Sequence, residues 1–293
     1  MAVYVLKNDG VSIEVDTKGA ELKSLKNPGT GTEYLWQRDP AFWGRSSPIL
    51  FPFVGKTDCN EFRTKGSTYS MTQHGFARDM EFELLSKTED EIWFVLRDSE
   101  ETREKYPYGF VLKLGYRLLE SGVEVCWQVE NEEEEDLPFS IGGHPAFYCP
   151  VEDGAAQTDY FLRFDAREKI VSTRISEDGL ATDEKDTYTL QDGYLPITEH
   201  LFDHDALVIE NYQAKEVSFC KPDGKAYLTV TMETPLFGVW SPPKKNAPFI
   251  CIEPWYGRCD RVGYRGDLKD REWGNLLAPG QVWKASYQIR IES

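Results

Sequence analysis

A histidine on a constrained backbone is the first residue of this chain that could do acid–base chemistry. His144 lies in the stretch Ile-Gly-Gly-His-Pro-Ala-Phe-Tyr-Cys, residues 141–149. The two glycines allow close backbone approach or a positive φ, and the proline after His144 biases the histidine toward extended geometry. Because histidine carries protons near neutral pH, His144 is either a satisfied structural histidine or a catalytic one.

Three further stretches place polar residues in apolar or glycine-punctuated surroundings. Arg45 is the single charge in the apolar segment 42–55, where an arginine usually pairs with an acid or a ligand. His74 precedes a glycine in a loop-like stretch, and Glu253 ends an apolar strand just before a proline. Burying a carboxylate costs desolvation free energy, so a buried carboxylate is normally paired with another group or used in the function of the protein. These residues form an acid–base set without a nucleophile, and no nucleophile-elbow, Walker or dinucleotide-binding motif accompanies them.

A metal site is the rival interpretation. His200 and His204 have the i, i+4 spacing that can place two zinc ligands on one helix face. The segment follows Pro196 in a loop-like stretch without helical continuation, which makes zinc the weaker hypothesis. A general acid and a general base facing a neutral polyol fit the histidines and Glu253 better.

Short alternating apolar runs must position these side chains. In residues 123–130, valine and tryptophan alternate with polar residues, as in a half-buried strand. Residues 11–15 alternate in the same way after Asp9-Gly10, a hairpin signal. One of the few helical signals is 99–105, which stops before Pro107. The pattern predicts an all-β antiparallel sandwich with few short helices, and we expect one domain spanning 1–293.

Composition restricts the partners and the compartment. The chain has 293 residues and a net charge of −17, which argues against nucleic acid or an anionic membrane as a partner. The first residues lack a signal-peptide pattern and no run is long enough to span a membrane, so we expect a cytoplasmic protein. Its six cysteines are scattered singly, which favours free buried thiols in a reducing compartment. Oligomeric state is not encoded in these patterns.

Five segments in order carry a resemblance to a known family. They are Trp-Gly-Arg-Ser-Ser-Pro-Ile-Leu-Phe-Pro-Phe-Val-Gly at 43–55, Gln-His-Gly-Phe-Ala-Arg at 73–78, Glu-Thr-Arg-Glu-Lys-Tyr-Pro-Tyr-Gly-Phe at 101–110, Gly-Gly-His-Pro-Ala-Phe at 142–147 and Cys-Ile-Glu-Pro-Trp-Tyr-Gly at 251–257. Along most of its length the chain resembles the aldose 1-epimerase (mutarotase) superfamily, in the branch often described as LacX-like. The resemblance implies a supersandwich with a concave sugar cleft, an isomerase acting on a free aldose, and neither metal nor cofactor.

The resemblance also implies roles for individual residues. Glu253 matches the general base that takes the proton from the anomeric hydroxyl, and His144 matches the general acid that protonates the ring oxygen. His74 matches a second histidine that orients the sugar, and Arg45 matches an arginine that contacts it.

Other substrate contacts are less closely defined. The sugar-binding aspartate of the family falls on Asp203 or Asp205, and we favour Asp205 because it leads directly into a strand. Apolar walls would stack the C–H faces of the sugar, and Trp36, Phe76 and Trp255 are candidates for these walls or for ordinary core.

Two alternative functions remain open beside the leading one. A sugar-phosphate mutarotase would need several convergent cations, for which Arg45, Arg78, Arg258 or Lys56 could serve against the overall negative charge. A sugar-binding or sugar-sensing module could use the same scaffold, although binding alone requires no matched acid and base.

Overall fold

Antiparallel strands dominate the computed structural model, which describes residues 2–152 and 154–292. The strands are β1 Val3–Lys7, β2 Ser12–Asp16, β3 Glu21–Lys26, β4 Ile49–Leu50, β5 Glu61–Thr64, β6 Ser67–Ser70, β7 Glu83–Lys87, β8 Glu91–Arg97, β9 Val111–Leu119, β10 Gly122–Glu130, β11 Leu137–Phe139, β12 Ile141–Gly143, β13 Ala146–Tyr148, β14 Phe161–Phe164, β15 Lys169–Ile175, β16 Ala181–Thr189, β17 Tyr194–Pro196, β18 Leu207–Glu210, β19 Glu216–Cys220, β20 Ala226–Met232, β21 Leu236–Trp240, β22 Phe249–Tyr256, β23 Asn275–Leu277 and β24 Val282–Ile291. The α-helix α1 is Glu100–Lys105, and single 3-10 turns lie at Asp58–Asn60, Ala77–Asp79, Gln157–Asp159 and Leu268–Asp270.

Two large sheets organise these strands. One has nine strands in the order β17-β14-β19-β20-β24-β10-β9-β8-β7. The other has the order β16-β15-β18-β21-β22-β12-β4, with β13 also pairing with β22. Smaller sheets pair β1 with β2 and β3, β11 with β23, and β5 with β6.

The two large sheets pack face to face around one apolar core. The ring centroids of Trp127 on β10 and Tyr256 on β22 are 6.5 Å apart, and those of Phe147 on β13 and Phe219 on β19 are 5.8 Å apart. Each pair joins the nine-stranded sheet to the eight-stranded sheet. The prediction of an antiparallel β-sandwich is therefore confirmed.

Side-chain alternation decides which residues leave the core. On β22, Ile250 and Ile252 belong to the core between the sheets. Their neighbours Phe249, Cys251 and Glu253 point to the opposite face, because successive side chains of a strand alternate. The outer face of the eight-stranded sheet thus carries an acid among apolar groups.

Several local predictions from the sequence agree with the structure. Val123, Val125 and Val129 on β10 are buried, and β1 pairs with β2 across the Asp9-Gly10 turn. Helix α1 begins one residue later than predicted, because the Ser99 hydroxyl accepts a hydrogen bond from the Thr102 N–H and caps the helix.

Glu253 does not end its strand, in contrast to the prediction. Strand β22 continues through Pro254 to Tyr256, and Pro254 pairs with Phe237 on β21. On the other side of β22, the neighbouring chain is interrupted between β12 and β13, so no ladder there requires an N–H from Pro254.

All six cysteines are free thiols. Five are buried as expected, whereas Cys59 is exposed. No helix among the described residues is long and apolar enough to cross a membrane.

Candidate functional site

His144 occupies the interruption between β12 and β13. Its backbone N–H donates a hydrogen bond to the Pro48 carbonyl at 3.1 Å, which ties it to the segment that precedes β4. A Cβ on Gly142 would lie 2.6 Å from Cδ1 of Trp255, so this glycine provides close approach of β12 to β22. Neither glycine before His144 has a positive φ. Close packing, rather than an unusual backbone conformation, therefore explains the Gly-Gly pair.

Glu253 faces His144 across this interruption. The His144 Nε2 atom lies 3.3 Å from the Glu253 Oε2 atom, and the two side chains are 8% and 2% exposed. The two residues are 109 positions apart in sequence, and strand pairing between β12, β13 and β22 brings them together. A possible proton donor and a possible proton acceptor are thus in contact in a buried site.

His74 places a second imidazole next to that of His144. Its ring centroid is 5.5 Å from that of His144, at an interplanar angle of 78°. The Gly55 N–H donates to His74 Nδ1 at 3.1 Å, so the neutral ring carries its hydrogen on Nε2. His74 has a φ of 69°, and Gly75 has a φ of +71° with no room for a Cβ against the Phe51 carbonyl. The tight turn therefore fixes both the position and the tautomer of His74.

Burial moves the pKa values of the acid–base pair in opposite directions. Burial, followed by the positive charges of Arg78 and Arg45, lowers the pKa of His144 to about 3. Burial, followed by the nearby Asp205 carboxylate, raises the pKa of Glu253 well above its usual range. An imidazolium and a carboxylate on opposite sides of the anomeric carbon would form a reactive acid–base pair. Both shifts favour the neutral forms of the two groups, because a buried site penalises both charges.

Two arginines stand at the edge of this site. The Arg45 guanidinium donates to Asp79 Oδ1 at 2.8 Å, and that of Arg78 donates to the Gln73 carbonyl at 2.7 Å. Burial and the adjacent Arg45 lower the pKa of Arg78 to about 10. Both cations also lower the pKa of His74, after burial and His144. Arg45 and Arg78 therefore lower the pKa values of both histidines, and both arginines pair with Asp79.

The other cations considered from the sequence do not join this pair. Arg258 is fully buried and its Nε lies 2.7 Å from Glu210, with a second ion pair to Glu272. Lys56 donates to the Asp178 carbonyl at 3.0 Å on the surface.

The two candidate aspartates differ clearly in their surroundings. Asp205 lies close enough to Glu253 to raise its pKa, and burial raises the pKa of Asp205 itself, while the Trp240 indole lowers it. Asp203 contacts His200 instead, with 2.8 Å between Oδ2 and Nδ1. The geometry brings Asp205, and not Asp203, to the acid–base pair.

The aromatic wall of the site differs from the sequence-based expectation. Trp43 stacks on His144 with ring centroids 4.7 Å apart, and Trp240 meets the same imidazole edge-on at 5.5 Å. Both indoles are half-buried. Trp36 lies behind them and donates its indole N–H to the Trp43 carbonyl. Trp43 was within reach of sequence reasoning, since it stands two residues before Arg45.

Two of the predicted aromatic contacts belong largely to the packing. Phe76 lies 6.1 Å from Phe110 and is part of the core between the sheets, so it is not a wall of the site. Trp255 is on the same face of β22 as Glu253, but it belongs to a buried apolar cluster that includes Leu50 and Val54. The Trp255 indole lowers the pKa of Glu253, which keeps it near the carboxyl.

The rival histidine pair does not form a helical metal motif. His200 and His204 lie in a run of turns, and the His200 side chain is 82% exposed beside Asp203. Their i, i+4 spacing therefore does not place two ligands on one helix face.

Comparison with known proteins shows which family this chain is similar to. A protein-family model described as Aldose 1-epimerase matches residues 2–290. Protein LacX of Lactococcus lactis subsp. lactis is 32% identical to this chain, and the alignment covers 98% of both chains.

Solved structures agree with this family. The galactose mutarotase related enzyme from Lactobacillus acidophilus superposes with a TM-score of 0.93 at 32% identity, covering 100% of this chain and 98% of that one. A galactose mutarotase-like protein from Lactobacillus casei ATCC 334 superposes with a TM-score of 0.91 at 28% identity, covering 99% of this chain and 100% of that one. The chain belongs to the aldose 1-epimerase family.

Proposed function

We propose that this protein is an aldose 1-epimerase that interconverts the α and β anomers of a free hexose. Opening the hemiacetal removes a proton from the anomeric hydroxyl and delivers one to the ring oxygen; closure on the other carbonyl face reverses both transfers. Glu253 is the general base for the hydroxyl and His144 the general acid for the ring oxygen. The observation that carries this assignment is the 3.3 Å contact between Glu253 Oε2 and His144 Nε2.

The resting charge form is compatible with these roles. A neutral imidazole with a carboxylic acid contains the same number of protons as an imidazolium with a carboxylate. Transfer of the Glu253 proton to His144 across their contact reaches the reactive form without proton exchange with solvent. His74 and Asp205 would hold sugar hydroxyl groups, and Trp43 would stack on a C–H face of the ring.

Replacing the general base tests the proposal. Glu253→Gln keeps the size of the side chain but removes the proton acceptor, so anomerisation should fall by about 10²–10⁴-fold. Polarimetry on freshly dissolved α-anomers of several aldoses measures the rate. Glu233→Gln, on an exposed residue that pairs with Lys215, is the matched control and should keep wild-type rates.

Two results would contradict the proposal. One is a Glu253→Gln enzyme that remains folded by circular dichroism and retains wild-type polarimetric rates. The other is calorimetric binding of sugars by the wild type without measurable anomerisation, which would favour a sugar-binding module.

A phosphorylated hexose is the second candidate substrate. The specific observation is the pair Arg45 and Arg78. Among the described residues, the buried Nε of Arg78 has no hydrogen-bond partner, and both cations pair with the same exposed carboxylate, that of Asp79. Such a pair suits a phosphate. Rates on glucose and glucose 6-phosphate distinguish the candidates. For a sugar phosphate, Arg78→Met should reduce the rate selectively on the phosphorylated sugar.

A further inference from the structure

A buried thiol lies directly beside the proposed acid and base. Cys251 precedes Glu253 by two positions on β22, so both side chains leave the same face of the strand. His144 meets them from the interrupted neighbouring chain. One ligand atom from each of these three residues lies within 4.8 Å of the other two, and all three residues are buried. Catalysis by proton transfer makes no use of this thiol.

The three donor atoms match the preferences of one class of metal ion. An imidazole nitrogen, a thiolate sulfur and a carboxylate oxygen are the ligands of Zn²⁺, which binds them at about 2.0–2.3 Å in tetrahedral geometry. Such geometry separates ligand atoms by about 3.3–3.8 Å. The 3.3 Å between His144 Nε2 and Glu253 Oε2 already meets this requirement. A thiolate ligand disfavours Mg²⁺ and Ca²⁺, which prefer oxygen.

An unsatisfied ligand atom supports the same conclusion independently. Glu253 Oε2 is buried and, apart from the 3.3 Å approach of His144 Nε2, has no hydrogen-bond partner among the described residues. Buried polar atoms normally have a partner. A cation between the three side chains would satisfy this oxygen. Three protein ligands would leave a fourth position for water or a sugar hydroxyl.

We propose that His144, Cys251 and Glu253 form an inhibitory binding site for Zn²⁺ or a similar thiophilic divalent cation. Binding forms metal–nitrogen, metal–sulfur and metal–oxygen bonds, and the thiol proton and any proton on Glu253 pass to solvent with no change of oxidation state. The bound ion occupies the lone pairs that would accept and deliver the protons of the sugar. The inhibitory effect rests on the proposed epimerase function, whereas the binding itself does not.

Cobalt replaces zinc in a test that does not depend on activity. Co²⁺ titrated into the reduced wild-type protein should produce visible d–d bands and a near-ultraviolet thiolate-to-cobalt charge-transfer band. Cys251→Ser and Cys251→Ala should lose the charge-transfer band and bind Co²⁺ at least about 10-fold more weakly. Cys59→Ser is the matched control, because it removes the exposed thiol and should leave the band intact. Two replacements of Cys251 protect the test against a variant that fails to fold.

Measurements of anomerisation then test whether the bound zinc ion inhibits the enzyme. Micromolar Zn²⁺ should abolish wild-type anomerisation, and a chelator should restore it. The anomerisation that Cys251→Ser retains should resist zinc. A charge-transfer band that is missing from the wild type, or that persists in both Cys251 variants, would overturn the metal site. A wild type that shows the band but never anomerises any aldose would overturn the epimerase proposal and leave the metal site standing.

Discussion

At the scale of single residues, the contact between His144 and Glu253 determines how protons are distributed in this site. Burial disfavours the imidazolium, and two nearby arginines disfavour it further. Burial and Asp205 disfavour the carboxylate. Since both effects favour neutral groups, we expect the pair to share one proton and to titrate as a unit.

This sharing predicts an unusual acid limb in the pH profile. Activity is lost at low pH when the pair gains a second proton, and the His144 pKa of about 3 sets this limb. We therefore expect kcat/KM to stay flat from neutral pH down to about pH 5, well below the ordinary histidine pKa of about 6.5. Arg78→Met removes a positive charge that repels the imidazolium, so the acid limb should move to higher pH.

Arg290→Met is the control for the shift of the acid limb. Arg290 lies on β24 in the nine-stranded sheet and pairs with Glu216. Its replacement should leave the profile unchanged. An acid limb near pH 6.5 in the wild type, or an unmoved limb in Arg78→Met, would contradict the assigned electrostatics.

At the scale of elements, the interruption between β12 and β13 creates the space for His144. Both strands pair with β22, β12 near Trp255 and β13 near Cys251, and the histidine lies between the two pairings. Gly142 allows this by bringing its backbone onto the Trp255 ring. The distance between acid and base is therefore set by how closely β12 approaches β22.

Adding one methyl group to β12 should disturb catalysis more than folding. The Cβ of Gly142→Ala would lie 2.6 Å from Trp255 Cδ1 and 3.0 Å from the Pro254 carbonyl, so β12 must move away from β22. A displacement of about 1 Å can cost about 10²-fold in rate, and we expect a loss of kcat/KM of that order. Gly44→Ala meets no atom within 4 Å and should change the rate by less than about twofold. Equal rates for the two variants in polarimetry would show that this contact does not position His144.

At the scale of the whole molecule, the core that stabilises the sandwich and the candidate site lie on opposite faces of the eight-stranded sheet. The core lies between the two large sheets, whereas His144, Glu253 and Trp43 lie on the outer face of the eight-stranded sheet. The chain carries a net charge of −17, yet two arginines converge at the site. A local cation pair can therefore bind an anion in a molecule whose overall field repels it.

Removing the largest aromatic of the core should test this separation. Trp127 is fully buried on β10, with ring centroids 5.2 Å from Tyr287 and 6.5 Å from Tyr256 on the facing sheet. Trp127→Ala should lower the free energy of unfolding by about 3–5 kcal/mol in urea denaturation, because it leaves a cavity. The molecules that remain folded should keep the wild-type turnover number.

Trp93 provides the comparison for Trp127. It is partly exposed on β8, and its indole N–H donates to Glu91. Trp93→Ala should cost about 1 kcal/mol or less, as partly exposed positions usually do. Equal losses for the two variants would mean that the contact between the sheets is not the main source of stability.

The strands and most of the candidate residues could be predicted from the sequence alone. Alternation in β10 depends on which side chains are apolar, and the cap of α1 depends on neighbours three residues apart, so both are local properties. The five segments also located His144, Glu253, His74 and Arg45, and the family resemblance added the pair Asp203 and Asp205. The single domain and the free hexose as substrate stay predictions.

The tertiary structure decided what depends on residues far apart in the chain. It placed Asp205 rather than Asp203 beside Glu253, Trp43 and Trp240 rather than Phe76 against the imidazole, and Cys251 next to both catalytic candidates. It also set the burial and the neighbouring charges that lower the pKa of His144 and raise the pKa of Glu253. A pKa depends on desolvation and on neighbouring charges, and these are set by strand pairing across about a hundred residues, which no local pattern contains.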